Sequence, residues 1–179
     1  MKYCSSCGAR VSQVIPAGDN RPRYVCERCA TVHYENPRVV VGCVPEYQGQ
    51  ILLCKRAIEP RLGFWTVPAG FLENGETLAD GAKRECFEEA NAHVEIGSLL
   101  AIIDVTYAQQ VHILYRARLL TPEYGAGTES LEVQLFDAAH IPWHDMAFRS
   151  VEFGLRRYLA DRAALREDLH CESLYPLSA

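Results

Sequence analysis

Residues 70–92 run Gly-Phe-Leu-Glu-Asn-Gly-Glu-Thr-Leu-Ala-Asp-Gly-Ala-Lys-Arg-Glu-Cys-Phe-Glu-Glu-Ala-Asn-Ala, packing six acidic side chains into a loop and the segment that follows it. Thr77 has the side chain of a helix N-cap and Asp80 stands three residues on as its reciprocal partner. Ala79, Ala82, Cys86 and Ala90 then recur at the spacing of one apolar stripe. A helix of about four turns follows from that pattern. At roughly 100° per residue, Glu85 and Glu89 fall on one flank beside the stripe, and Glu88 lies about 60° further round from Glu85. Three carboxylates are therefore expected to converge. Like charges at this spacing cost an exposed helix about 0.2–0.5 kcal/mol per pair, and more where the core removes water. A divalent cation turns that repulsion into binding. The competing account is a solvated acidic face, and the position beside the apolar stripe argues against it.

Hard oxygen ligands of this kind select Mg²⁺ or Mn²⁺ over zinc, and Mg²⁺ commonly combines one or two carboxylates with substrate phosphates. The implied substrate is a phosphoanhydride. Gly70 and Gly75 suit a loop whose backbone approaches a metal or a phosphate, although turn glycines look the same. Glu76 and Arg84 are the right types for an ion pair tying loop to helix, a structural rather than a catalytic role.

A second motif opens the chain. Cys4-Ser-Ser-Cys7 and Cys26-Glu-Arg-Cys29 are two CxxC pairs with 18 residues between them, the spacing of a four-cysteine zinc site. Four thiolates leave no open coordination position, so this metal is expected to be structural, holding a ribbon too small to bury a core unaided. Two disulfides are the competing account. The chain begins Met-Lys-Tyr-Cys without an apolar targeting segment, so nothing points to an oxidising compartment and a cytoplasmic setting is expected. Cys43 and Cys54 fall in apolar strand patterns and Cys86 on the helix stripe, where buried packing explains them best.

A length of 179 residues accommodates one medium domain plus a small module. No segment is long or apolar enough to span a bilayer. The net charge of −5 supplies no global attraction for nucleic acid or anionic membrane. Residues 1–34 carry a mild basic bias from Lys2, Arg10, Arg21, Arg23 and Arg28. Glu35-Asn36-Pro37 punctuates the chain, which sets the expected organisation as a zinc ribbon at 1–34, a catalytic domain at 35–166 and a tail at 167–179 without clear pattern. Val39–Val44 and Ile51–Cys54, joined through Gln48-Gly49-Gln50, form a predicted hairpin. Further strands are expected at 64–67, 99–107, 111–119 and 131–136, and a second helix at 146–165. Strands before, between and after two helices imply an α/β fold, a mixed sheet sandwiched by helices.

The loop-helix spacing, with five residues from Gly70 to Glu76 and seven more to Arg84, resembles the signature of the Nudix hydrolases. Together with the ribbon, Leu52-Leu53-Cys54-Lys55-Arg56, Trp65-Thr66-Val67-Pro68-Ala69-Gly70 and Glu129-Ser130-Leu131-Glu132, it is most similar to the zinc-ribbon branch that includes a plant chloroplast enzyme splitting FAD and ADP-ribose. Asn91 stands where that family usually has glycine, a mild change because Asn tolerates the left-handed conformation. Cys86 and Ala92 replace larger aliphatic residues, and no acidic position is lost.

The resemblance implies an α/β/α sandwich and metal-assisted water attack on a pyrophosphate bridge. By the same resemblance Glu85 and Glu89 are the leading ligands, Glu88 is a further ligand, and the Gly70 carbonyl completes the sphere. Glu129 and Glu132 are candidates for the general base, with a plain surface role as the alternative; Lys55 and Arg56 contact phosphate or are ordinary strand-end charges. FAD, giving FMN and AMP, and ADP-ribose, giving AMP and ribose 5-phosphate, are the implied substrates, and a homodimer the implied assembly. An NADH pyrophosphatase or NAD-decapping enzyme is the rival; its usual Ser-Gln-Pro-Trp-Pro-Phe-Pro signature is replaced here by Ile103-Asp104-Val105-Thr106-Tyr107-Ala108-Gln109-Gln110. A non-catalytic regulator of the same descent predicts a degraded acidic box, which this chain lacks.

Overall fold

The computed structural model describes residues 1–177 and divides into two compact units, Met1–Pro37 and Arg38–Ala179. The first holds three short strands, β1 (Val11–Val14), β2 (Arg23–Cys26) and β3 (Val32–His33), paired antiparallel in the order β1-β2-β3. Its buried hydrophobic side chains are two of the knuckle cysteines, Cys4 and Cys26. So small a core does not hold such a unit by itself.

The second unit is built on β4 (Arg38–Tyr47), β5 (Gln50–Arg56), β6 (Trp65–Thr66), β7 (Ala69–Phe71), helix α1 (Leu78–Ala90), β8 (Val94–Val105), β9 (Gln110–Leu119), β10 (Ser130–Phe136), helix α2 (Arg149–Ala163) and β11 (His170–Leu174). The main sheet runs β10-β5-β4-β9-β8-β11, with β6 on β5 and β7 on β4. Parallel pairs β4–β9 and β8–β11 beside antiparallel ones make the sheet mixed. Gln48 and Gly49 both take positive φ, the two-residue turn that matches the twist of the β4–β5 hairpin.

Strand alternation assigns the two faces. Cys43, Leu52, Cys54 and Leu119 pack with Cys86 and Ala90 of α1, whereas Val44, Leu53, Leu100 and Leu114 pack with Val151, Leu155 and Tyr158 of α2. The three interior thiols are fully packed fillers; contact with Cys86 and burial push Cys43 well above the ordinary thiol range, and burial with the charge of Glu89 does the same for Cys54. The α/β/α sandwich expected from the sequence is present.

The segment from Glu167 onward is not patternless, because residues 170–174 add a parallel strand to β8. As an edge strand with a single buried residue, Leu174, it carries no apolar alternation. It is secured by a buried polar cluster: Asp161 of α2 pairs with the Arg116 guanidinium and takes the His170 imidazole at 2.9 Å, while Arg116 also donates to the Asp168 carbonyl at 2.9 Å. Ser178 and Ala179, the end of the expected tail, lie outside the described residues. Strand β8 begins at Val94 rather than Leu99, since register shifts between Ile96 and Ala101 break its period. Helix α2 covers Arg149–Ala163 rather than the expected 146–165, and contains the whole apolar stripe Val151, Leu155, Tyr158 and Leu159.

Candidate active site and metal centre

Helix α1 starts where its cap predicts, with the Asp80 N–H donating to Thr77 Oγ1 at 3.1 Å and the Thr77 hydroxyl donating to Asp80 at 2.6 Å. It stops at Asn91, whose φ of 48° is left-handed and whose N–H donates to the Phe87 carbonyl at 2.8 Å. The Asn91 amide reaches on to the carbonyls of Gly125 and Ala126. Gly127 then donates to the Glu89 carbonyl at 3.0 Å. A Cβ on Gly127 would lie 1.8 Å from the Glu88 carbonyl oxygen, so only glycine allows this approach. The loop before β10 is thus fastened to the end of α1, and it sets Glu129 in the wall of a large cleft.

Strand β7 brings the opposite wall against the helix. A Cβ at Gly70 would meet the Glu85 carboxyl at 2.4 Å, and the Ala69 N–H donates to Glu89 Oε2 at 3.3 Å. Burial, reinforced by the charge of Glu85, pushes Glu89 up to about 8 against the pull of the Ala69 N–H and Arg56. Glu85 is also raised, first by burial, against the opposing pull of Arg84. Burial and the neighbouring charge thus disfavour the ionised form of Glu89, and a cation placed here would favour it.

Glu88 departs from the expected triad. Its side chain is 54% exposed and bound by Arg84 Nη1 at 2.9 Å, the same nitrogen that reaches Glu85 at 2.7 Å. Arg84 further pairs with Glu76 through Nε at 2.6 Å and Nη2 at 3.0 Å and donates to the Phe71 carbonyl at 3.1 Å. The loop-to-helix ion pair is therefore present. Because Arg84 stands between Glu85 and Glu88, two carboxylates rather than three share the buried flank.

The cleft, about 1470 Å³, is lined by Gly70, Arg84, Glu85, Glu88, Glu89, Arg56 and Glu129 among others. Arg56 lies with its guanidinium 5.0 Å from the centre of the Phe148 ring and donates to the Pro60 carbonyl. Lys55 and Glu132 are not in the lining and pair with each other at 3.7 Å across β5 and β10. Alternation along the two strands turns them away. Beyond the acidic end the cleft continues past His112, Gln110 and Ser150, which the sequence reading did not single out. The period-2 pattern of β9 does place Gln110 and His112 on one face; what the sequence lacks is any sign that α2 brings Ser150 to the same spot.

In the ribbon, the sulfurs of Cys4, Cys7, Cys26 and Cys29 all lie within 4.8 Å of one another, the only group of three or more such ligands among the described residues. The closest approaches are 3.5 Å for Cys7 to Cys26 and to Cys29 and 3.7 Å for Cys4 to Cys29. Zinc–sulfur bonds of about 2.3 Å at the tetrahedral angle give edges near 3.8 Å, so the four atoms already have the spacing zinc needs. Backbone N–H groups of Ser6, Arg28 and Cys29 point at Cys4 and Cys26 at 3.4 Å, the orientation that stabilises thiolates. All eight cysteines are free, and the four knuckle sulfurs gather as one group rather than as two bonded pairs.

A mixed sheet lies between two helices, a capped acidic helix borders the cleft, and four clustered cysteines organise the other unit. The chain matches a zinc-ribbon family described as Nudix N-terminal over residues 2–35 and the NUDIX domain over residues 36–155. It belongs to the Nudix family. A crystal structure of a NUDIX hydrolase from Nitrosomonas europaea superposes with a TM-score of 0.94 at 50% identity, covering 97% of this chain and 99% of that one. An NAD-capped RNA hydrolase of Vibrio parahaemolyticus is 32% identical over 148 residues, 79% of this chain and 53% of the relative. An ADP-ribose pyrophosphatase of Methanocaldococcus jannaschii is 30% identical over 113 residues, 61% of this chain and 67% of the relative. The chain thus spans about half the length of the NAD-capped RNA hydrolase it matches. These relatives bear out the ribbon-plus-Nudix family and do not single out the plant chloroplast branch.

Proposed function

We propose that this protein is a divalent-metal-dependent pyrophosphohydrolase that cleaves the diphosphate bridge of an adenylate-containing substrate, ADP-ribose or FAD, releasing AMP in each case. The observation that carries the proposal is the buried pair Glu85 and Glu89 at the head of the cleft, with Glu89 raised to about 8 by burial and by its neighbour. The donor set fits a hard cation: two carboxylates and a strand whose Gly70 lies directly against the Glu85 carboxyl. Glu85, Glu89 and the Gly70 carbonyl are assigned as its ligands, with Glu88 at the exposed margin.

Bound Mg²⁺ or Mn²⁺ supplies neutralisation of phosphate oxygens and a more acidic water. The chain's own residues do the rest. Glu89, raised to about 8, would give up its proton more readily beside a bound cation, and its carboxylate would then help hold that cation. Arg84 holds the carboxyls of Glu85 and Glu88 in place and ties the helix to the Glu76 loop. Arg56 is positioned to meet a phosphate oxygen, and Glu129, on the loop fastened to α1, is the assigned base because it lines the cleft whereas Glu132 does not.

Zinc in the ribbon is assigned a structural role, a homodimer is the proposed assembly, to be read by analytical ultracentrifugation, and a reducing cytoplasmic setting suits the free thiols. A second reading, hydrolysis of NADH or NAD-capped RNA, draws on the similarity to the Vibrio relative over 79% of this chain. The test is a panel of ADP-ribose, FAD, NADH and NAD⁺ with Mg²⁺ or Mn²⁺, followed by chromatography of products. AMP released fastest from ADP-ribose or FAD supports the proposal; a strong preference for NADH replaces it with the second reading.

A further inference from the structure

The acidic residues and Arg56 occupy one end of a cleft whose 1470 Å³ exceeds what a diphosphate and its metals fill, and the far end has a different chemistry. There His112, Gln110 and Ser150 are uncharged, and the nearby Arg149 guanidinium donates to the Tyr175 carbonyl at 2.9 Å. His112, on the central strand β9, is pushed down to about 4 by burial and is neutral at physiological pH. Both of its ring nitrogens are engaged: Nδ1 lies 3.0 Å from the Ser150 hydroxyl of α2, and Nε2 lies 2.9 Å from Gln110 Oε1, two residues along the same strand face. With both nitrogens used, the imidazole has nothing left to offer a ligand. Gln110 does. One end of its carboxamide is held by His112, and among the described residues the other end has no protein partner. Val40 and Val105 flank these residues on the adjoining strands, and Phe71 and Tyr107 stand at the margin of the cleft, 43% and 50% exposed. Flat apolar walls beside one oriented, uncharged amide do not suit a second phosphate or a carboxylate. They suit a heteroaromatic ring with a hydrogen-bonding edge.

We propose that Gln110, oriented by His112 and Ser150, reads the edge of the nucleobase of the bound dinucleotide, so that this triad sets base specificity at the end of the cleft opposite Glu85 and Glu89. In this arrangement Gln110 touches the ligand, and His112 is a positioning residue that fixes which way the amide faces. The inference rests on the function proposed above, because it takes the adenylate half shared by ADP-ribose, FAD and NAD as the occupant.

The test titrates AMP calorimetrically into the full-length protein and into Gln110→Leu and His112→Ala, each with Mg²⁺ present. Loss of one hydrogen bond to the base predicts about fivefold to tenfold weaker AMP binding in both variants. Steady-state hydrolysis of ADP-ribose should show the same loss in KM rather than in kcat, a split that a merely structural role of His112 does not produce. Gln110→Leu alters a half-exposed side chain and decides the matter even if His112→Ala fails to fold. AMP affinity within twofold of the parent in Gln110→Leu overturns the proposal, as does a parent protein that binds AMP no more tightly than inorganic phosphate. A protein that binds AMP through Gln110 yet hydrolyses no diphosphate leaves this subsite standing and removes the hydrolase assignment instead.

Discussion

Glu89 concentrates the chemistry of this chain in one side chain. Its folded-state value near 8 lies above the ordinary 4.5, so the folded protein holds a proton there that the unfolded chain has already released. The resulting contribution to stability is complete at pH below about 4.5 and is lost as the pH rises through about 8. Metal-free protein should therefore show a melting temperature that declines across that window, and Glu89→Gln, neutral throughout, should flatten the decline. The same substitution should lower turnover about a hundredfold or more, since even residues that only orient metal ligands commonly contribute 10–100-fold. Spacing made Glu85 and Glu89 legible in the sequence, because a helical flank is an arithmetic property of the chain. The exposure of Glu88 was not legible. It depends on Arg84, whose position is set by the Phe71 carbonyl of β7 and by Glu76, a tertiary circumstance.

At the scale of elements, the site depends on two close backbone approaches to α1, one from β7 at Gly70 and one from the loop before β10 at Gly127. Replacing Gly127 with alanine drives a methyl into the Glu88 carbonyl, which the loop can relieve only by moving off the helix. The expected result is a loss of about 1–3 kcal/mol in urea unfolding together with a fall in kcat as Glu129 leaves the cleft wall. Unchanged kcat with reduced stability would instead release Glu129 from the role of base. Asp161→Ala should be more damaging to the fold, about 3–5 kcal/mol, because it leaves the Arg116 guanidinium buried without its partner and detaches β11. The helix cap, the hairpin turn and the sandwich order were readable from residue patterns. Strand β11 was not, because its pairing with β8 is backbone chemistry anchored by side chains from three separate elements.

For the whole molecule, the two units draw on different sources of stability. Residues 38–177 bury two apolar layers, whereas the ribbon is organised around four sulfurs already spaced for a tetrahedral ion. Stoichiometric zinc is expected in the purified protein, and Cys4→Ser with Cys26→Ser should abolish it and unfold the ribbon while the sandwich keeps its near-ultraviolet circular dichroism. Folded protein without zinc would contradict that assignment. The ribbon was legible because ligand spacing is local in the sequence; the far end of the cleft was not, because β9 and α2 meet there only in the folded chain.

The most direct measurement is chromatography of ADP-ribose incubated with the parent protein and with Glu89→Gln, each with Mg²⁺ and with chelator. The account predicts AMP and ribose 5-phosphate from the parent with Mg²⁺ alone, and little of either from the other three mixtures. Equal product from Glu89→Gln, or cleavage that persists in chelator, would contradict it.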